Sequence, residues 1–109
     1  MKGMPNMGTL LKQAQQFQAK MAKLQEELGE RTVEASAGGG MVTVVANGRQ
    51  EVLSVKIDPE VIHPEEAEML QDLILAAVND ALSRAKSMVH EEMGKLTQGL
   101  NLPNIPGLL

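Results

Sequence analysis

The feature that most limits how this chain can fold is a long amphipathic helix predicted in its second half. Pro64 suits the first helical position, and the acidic residues after it suit a helix N-terminus. Apolar residues then recur every three or four positions from Leu70 to Met88. The helix would be about 45 Å long, more than the diameter of a 109-residue globule. Part of it must project, and its apolar, alanine-containing stripe predicts close contact with a second copy of the chain.

A second helix is predicted near the N-terminus, from Thr9 to Leu28. Thr9 is predicted as its N-cap, and Gly29 as the left-handed residue after its last turn. The seam is shorter than three heptads, so the helix needs the rest of the fold or a second copy to stabilise it. Its apolar residues have the heptad spacing of a coiled-coil seam: Leu10, Ala14, Phe17, Met21, Leu24 and Leu28.

Between Arg31 and Ile57 the hydrophobic period changes to two, which indicates β-strands. Three runs are separated by glycines 38–40 and by Asn47-Gly48, a signal for a two-residue hairpin turn. Such a turn places Val42 opposite Leu53 and predicts a three-stranded antiparallel sheet, and hence an α+β fold. One face of the sheet would collect Val42, Val44, Leu53, Val55 and Ile57.

The composition excludes several classes of protein. With no cysteine, the chain has no disulfide framework, thiolate zinc site or cysteine nucleophile, and it suits a reducing cytoplasm. One phenylalanine without Trp or Tyr argues against binding of single strands by base stacking. No export signal or membrane span is predicted. Residues 1–96 are predicted to form one domain, and residues 97–109 a flexible tail containing proline and glycine.

Catalytic chemistry has few candidate residues. His63 and His90 are isolated, and lone histidines are more often surface or capping residues than bases. Glycines 38–40 lie between strands, without the following helix N-terminus of a phosphate-binding loop. Acidic residues could bind a metal but are typical of the solvated first turns of a helix: Glu65, Glu66, Glu68 and Asp72. The sequence predicts no enzyme, no cofactor, no metal and no small-molecule substrate.

The net charge of −4 is distributed unevenly. Residues 1–30 carry four lysines against three glutamates, whereas the last 52 residues carry three basic and nine acidic residues. Lys12, Lys20 and Lys23 share the helix face opposite the apolar seam. A face of this kind can contact the phosphates of a DNA duplex, but taken alone it is more typical of a solvated helix surface.

The sequence resembles the YbaB/EbfC family of bacterial nucleoid-associated proteins over nearly its whole length. The order and spacing of several segments carry the resemblance, which makes it more specific than any single motif. These segments are residues 8–16, the strand residues Gly40, Val42, Val44, Asn47 and Gly48, residues 57–59, 69–73 and 79–81, and the step from Thr97 to Gly99.

The resemblance implies an N-terminal helix, a three-stranded antiparallel sheet and a long C-terminal helix in an intertwined, tweezer-like homodimer. It also implies a cytoplasmic, nucleoid-associated protein that binds double-stranded DNA with low sequence specificity and alters DNA conformation. Nucleoid organisation, DNA protection and gene expression are the expected processes. The family's DNA contacts are attributed to helical arms, which here carry Lys12, Lys20, Lys23, Arg84, Lys86 and Lys95.

The acidic second half of the chain supports an alternative interpretation. A dimeric protein–protein interaction module would act through its dimer surface and tail, with only incidental DNA binding. Glu91 and Glu92 lie close to Lys95 in the sequence, which weakens the case for that lysine as a DNA contact.

Overall fold

The structure, a computed structural model, describes residues 7–99. Along the chain, one helix precedes and one follows a three-stranded antiparallel sheet of strand order β1-β2-β3, so the predicted α+β architecture is confirmed. Two short 3-10 turns, Pro59–Val61 and Pro64–Glu66, lead from the sheet into the second helix. The main elements are α1 (Met7–Glu30), β1 (Thr32–Ala37), β2 (Val42–Asn47), β3 (Val52–Ile57) and α2 (Ala67–Gly99).

The core lies between α2 and the sheet. Ala77, Ala81 and Ala85 follow one face of α2, and all three are fully buried. We call them the alanine ridge. Because their side chains are small, α2 lies close against β1 and β2, where Val42 and Val44 are the largest fully buried side chains. The predicted stripe is therefore confirmed, but the expectation that its alanines meet a second copy is wrong, since they pack within the chain.

Both ends of α1 differ from the prediction. The helix begins at Met7, so Thr9 lies inside the first turn instead of at the N-cap; the residue before Met7 lies outside the described residues. At the other end the helix continues through Gly29 to Glu30, and Gly29 has no positive φ. The Arg49 side chain packs over Gly29, and a Cβ there would lie 3.0 Å from the Cγ of Arg49, so a larger residue would require this side chain to shift.

The connection between β2 and β3 is longer than the predicted two-residue turn. Val42 pairs with Ile57 instead of Leu53, which shifts the predicted register by four residues. Asn47 causes the difference because its buried side chain closes a wider loop. Its Oδ1 accepts hydrogen bonds from the amides of Arg49 (3.0 Å) and Glu51 (3.1 Å), while its Nδ2 donates to the Glu51 carboxylate (2.8 Å).

A β-bulge in β3 changes the composition of the predicted apolar face. Val45 pairs with Ser54 and Ala46 with Val52, so Leu53 has no partner across the ladder. Leu53 is 54% exposed. Val42, Val44, Val55 and Ile57 do share one face, as predicted, because directly paired residues of an antiparallel ladder point to the same side.

Glycines 38–40 form the turn between β1 and β2, as the sequence predicts. All three have positive φ angles, of 65°, 68° and 94°. Such angles are readily adopted by glycine and strained for other residues. A Cβ on Gly38 would lie 2.9 Å from the Leu73 side chain, so this turn also packs directly against the first half of α2.

At the opposite end of the sheet, α1 and α2 form a projecting arm. Gly48 marks the base of the arm, where the Leu28 carbonyl and the Val89 side chain both occupy the space that a Cβ at this position would need. We define the arm as α1 together with the part of α2 after Val89. The described chain measures 78 × 23 × 17 Å, which confirms that part of the long helix projects.

The end of α2 lies beyond the predicted domain boundary. The helix continues through Gly99, three residues past the expected end of the domain at position 96. The remaining tail positions, 100–109, lie outside the described residues. The division into a domain and a tail stays a prediction.

We expect Gly48→Ala to destabilise the protein by about 3 kcal/mol or more, because the new Cβ would collide with the Leu28 carbonyl oxygen, which is backbone and cannot swing aside. Gly94→Ala is the matched control, since nothing lies within 4 Å of a Cβ at that helical position. The control should raise stability by up to about 1 kcal/mol. Urea unfolding of both variants measures the difference, and equal stabilities would contradict the assignment of Gly48 as the base of the arm.

Candidate nucleic-acid interface

Three lysines form a basic face on α1. Lys12, Lys20 and Lys23 are exposed, and Lys12 and Lys23 lie about three turns and about 16 Å apart on the same side of the helix. Within residues 7–99 none of the three has an acidic partner at ion-pair distance. We call this set the α1 lysine face. Its charges are available to an external anion without first breaking an internal pair.

The predicted cations on α2 have different surroundings. Arg84 Nε lies 3.1 Å from Asp80 Oδ2, and Lys95 Nζ lies 3.2 Å from Glu92 Oε1. Lys86 is exposed and has no ion-pair partner in the described part of the chain. At about 100° per residue, Lys86 also lies on the side of α2 opposite to Arg84 and Lys95. The six predicted contact residues therefore do not form one continuous patch.

Glu92 pairs with cations from two elements. Its Oε1 lies 3.2 Å from Lys95 on its own helix and 3.5 Å from Arg31, which precedes β1. The Glu92 side chain is 24% exposed. This carboxylate therefore neutralises part of the positive charge at the base of the arm.

An open cleft of about 420 Å³ lies beside the β2–β3 loop. Lys86 and His90, one turn apart on α2, line it together with Val89 and Met93, and Gly48 and Gln50 complete the wall. Gln50 has a φ of 65°, and its Nε2 donates a hydrogen bond to the Leu82 carbonyl oxygen at 3.1 Å. Sequence reasoning missed the loop residues of this cleft, because their position depends on the register that Asn47 sets.

The residues considered for catalysis do not converge on a site. His63 is exposed and precedes the 3-10 turn at Pro64, far along the chain from His90 in the cleft. In residues 7–99 no group of three or more histidine, aspartate or glutamate side chains is arranged to hold a metal ion. Across the same residues, neither helix combines the length and the apolarity needed to cross a bilayer.

The sequence that folds in this way matches the model of a known family. The model of the YbaB/EbfC DNA-binding family aligns with residues 3–100, nearly the whole chain. The chain belongs to this family. The YbaB/EbfC match includes α1, the sheet and α2, so the basic face, the cleft and the alanine ridge all lie inside the family domain.

Curated relatives carry names that agree with the family. A nucleoid-associated protein of Moorella thermoacetica is 62% identical over 101 residues, covering 93% of this chain and 97% of the relative. One from Syntrophobacter fumaroxidans is 62% identical over 100 residues, covering 90% and 91%. One from Bacillus thuringiensis is 59% identical and covers 93% of both chains.

A solved structure has the same fold. The crystal structure of an uncharacterized protein from Helicobacter pylori superposes with a TM-score of 0.65 at 23% identity. It covers 91% of this chain and 100% of the other. At this identity the likeness supports the fold alone.

Proposed function

We propose that this protein is a non-enzymatic, nucleoid-associated DNA-binding protein that acts as a homodimer. The observation that carries the proposal is the α1 lysine face, which offers three cations on a projecting helix, none of them ion-paired within residues 7–99. Family membership and the names of the relatives support DNA as the partner. The same names support a location at the bacterial nucleoid, in the cytoplasm.

Phosphate contact explains why the binding would have low sequence specificity. Lys12, Lys20 and Lys23 are flexible point charges that neutralise phosphates and release counterions whatever the bases are. Phe17 is the only aromatic residue, so there is no platform on which bases could stack. The affinity is therefore expected to come from charge and to depend strongly on salt.

The cations on α2 contribute to DNA binding in different degrees. Lys86 is unpaired within residues 7–99 and can contact a phosphate directly. Arg84 and Lys95 must first exchange Asp80 or Glu92 for a phosphate. Exposed ion pairs are worth only about 1 kcal/mol or less, so this exchange weakens their contribution without abolishing it.

An uncovered face of β3 supports the homodimer. Val52 and Val55 point to the same side of the sheet as the buried Ala46 and Val44, but α2 lies mainly over β1 and β2. Val52 and Val55 therefore remain 39% and 42% exposed. Leu75 of α2 is also exposed, at 60%. A second copy of the chain covering this face would complete a core that is thin in one protomer.

A dimer would present two arms to one duplex. Contacts from two arms can hold the DNA in a bent or otherwise altered conformation, because the contacts offset the cost of deformation. Changes in nucleoid organisation, DNA protection and gene expression would follow from many such complexes along the chromosome.

Replacing Lys12, Lys20 and Lys23 with alanine should abolish most of the DNA affinity. Three lysines per chain neutralise about six phosphates in a dimer, so the wild-type slope of log K against log salt should be about −5. We expect the triple variant to bind at least roughly 100-fold more weakly at low salt, with a slope closer to zero. A gel-shift titration over a salt series measures both quantities.

The charge-preserving triple variant, with arginine at positions 12, 20 and 23, is the matched control for this experiment. It should keep the wild-type slope, since arginine also neutralises one phosphate. An alanine variant that binds like the wild type would contradict the assignment of the α1 lysine face to DNA.

Glu92→Gln should strengthen DNA binding, because it frees Arg31 and Lys95 from their shared carboxylate. We expect the Kd at low salt to fall by about 3- to 10-fold, with a smaller gain at high salt because the effect is electrostatic. Glu34→Gln is the control, since it removes the same charge from an exposed position of β1 that has no ion pair in the described chain. Equal gains in both variants would mean that net charge alone is responsible.

Val55→Glu should convert the dimer to a monomer, because it introduces a charge into the uncovered face of β3. Sedimentation equilibrium at micromolar concentration gives the mass directly. Ser36→Glu is the control, because it introduces the same charge on the opposite face of the sheet, where Ser36 is exposed. The proposed interface is wrong if the wild type is monomeric or if only the control dissociates.

The protein–protein interaction module remains the second candidate, supported by one observation. Residues 58–83 carry seven acidic residues and no lysine or arginine, and Ile62 in this segment is 54% exposed. A stoichiometric protein partner recovered from nuclease-treated lysate, together with non-specific DNA affinity weaker than about 10⁻⁴ M, would favour this alternative.

A further inference from the structure

We infer that a second copy of the chain binds along one face of α2, with the two α2 helices antiparallel and related by a two-fold axis at Asn79. The inference rests on the proposed homodimer and adds the helix face, the direction and the register of the contact. We call this surface the β3-side face of α2, and its residues recur at heptad spacing: Glu68, Asp72, Leu75, Asn79, Leu82 and Lys86.

The β3-side face of α2 lies next to the uncovered part of the sheet. Gln50, in the loop before β3, donates its side-chain hydrogen bond to the Leu82 carbonyl oxygen, so this side of α2 borders β3. Leu75 is 60% exposed, and Leu82 is half-buried. The face therefore continues the apolar surface that Val52 and Val55 leave uncovered, and one partner can cover both.

The two ends of the β3-side face carry opposite charges. Glu68 and Asp72 lie in the first two turns of α2, Lys86 lies further along the helix, and all three are exposed. Within residues 7–99 none of the three has an ion-pair partner. A helix face that is acidic at one end and basic at the other is complementary to the same face of a second copy that runs in the opposite direction.

The equal spacing of the charges about Asn79 determines the register. Asp72 and Lys86 are each seven residues from Asn79, about 10 Å along the helix. A two-fold axis at Asn79 therefore places Asp72 opposite Lys86 of the partner subunit, and the partner's Asp72 opposite Lys86. A parallel pair would bring each of these charges against its own copy, and like charges repel. The charges thus select the antiparallel arrangement.

The open cleft beside the β2–β3 loop receives the acidic end of the partner helix. Lys86 and His90 line this cleft of about 420 Å³. Glu68 and His90 are each eleven residues from the axis, so the same register brings Glu68 of the partner subunit to the level of His90. The imidazole can donate a hydrogen bond to a carboxylate. In the dimer, Lys86 thus joins the α2 cations that must exchange a carboxylate for a phosphate before they bind DNA.

Sedimentation equilibrium of charge-reversed full chains without DNA tests the inference. Asp72→Lys and Lys86→Asp each place like charges opposite one another, so we expect the dimer Kd of either variant alone to rise by at least about 10-fold. An equimolar mixture of the two variants restores opposite charges in both pairs and should form a heterodimer with about the wild-type Kd. Glu91→Lys is the control, because this exposed residue lies about 120° around α2 from Asn79, and it should dimerise like the wild type.

The outcomes distinguish the register from the homodimer itself. If the wild type is a dimer and both charge-reversed variants dimerise equally well, the inference is overturned while the homodimer stands. It is also overturned if the variants dissociate and their mixture does not recover, because the two charges then do not meet across the axis. A monomeric wild type would overturn the inference and the proposed homodimer together.

A cysteine at the axis tests the direction of the helices independently. The chain has no native cysteine, so Asn79→Cys can form a disulfide only between two copies. We expect this disulfide to form, because the axis brings the two α-carbons within the roughly 7 Å that a disulfide spans. Ser87→Cys is the control, since its two copies would be sixteen residues, about 24 Å, apart along the antiparallel helices. A disulfide in Ser87→Cys, or none in Asn79→Cys, would overturn the inference.

Discussion

The close packing of the alanine ridge on β1 and β2 determines the rest of this structure. Ala77, Ala81 and Ala85 let α2 lie against the sheet with almost no intervening side-chain volume. Because the helix is centred over two strands, the third strand keeps an exposed apolar face. The core is correspondingly thin, with valines as its largest fully buried side chains. The exposed face of β3 and the thin core both follow from this one packing arrangement.

The local periodicity of the sequence was sufficient to predict the type and order of the helices and strands, but not the geometry of the loops that connect them. Residue spacing predicts α1 and α2 because helical neighbours lie three or four positions apart, and it predicts the strands because residues on one face of a strand lie two positions apart. The hairpin register was wrong because Asn47 uses its side chain to close a wider loop, an arrangement that the Asn-Gly signal does not specify. Gly29 was misassigned as well, since α1 continues through it and the side chain that packs over it, Arg49, comes from the distant β2–β3 loop.

The same distinction applies to the candidate interface. The α1 lysine face could be identified from the sequence because helical spacing alone fixes which side chains share a side. The proximity of Glu92 to Lys95 could also be seen in the sequence, but the pairing of Glu92 with Arg31 could not, since these two residues are 61 positions apart in the chain. Family resemblance supplied DNA as the partner, while the described part of the structure distinguishes cations that have an ion-pair partner there from cations that have none. A count of basic residues alone does not show which of these charges can contact a phosphate directly.

The continuity of α2 has a mechanical consequence. One uninterrupted helix of 33 residues begins on the sheet and ends in the arm, and it contains no proline at which it would kink. A force applied at the tip of the arm is therefore transmitted along one continuous helix to the sheet, through the contacts of the alanine ridge.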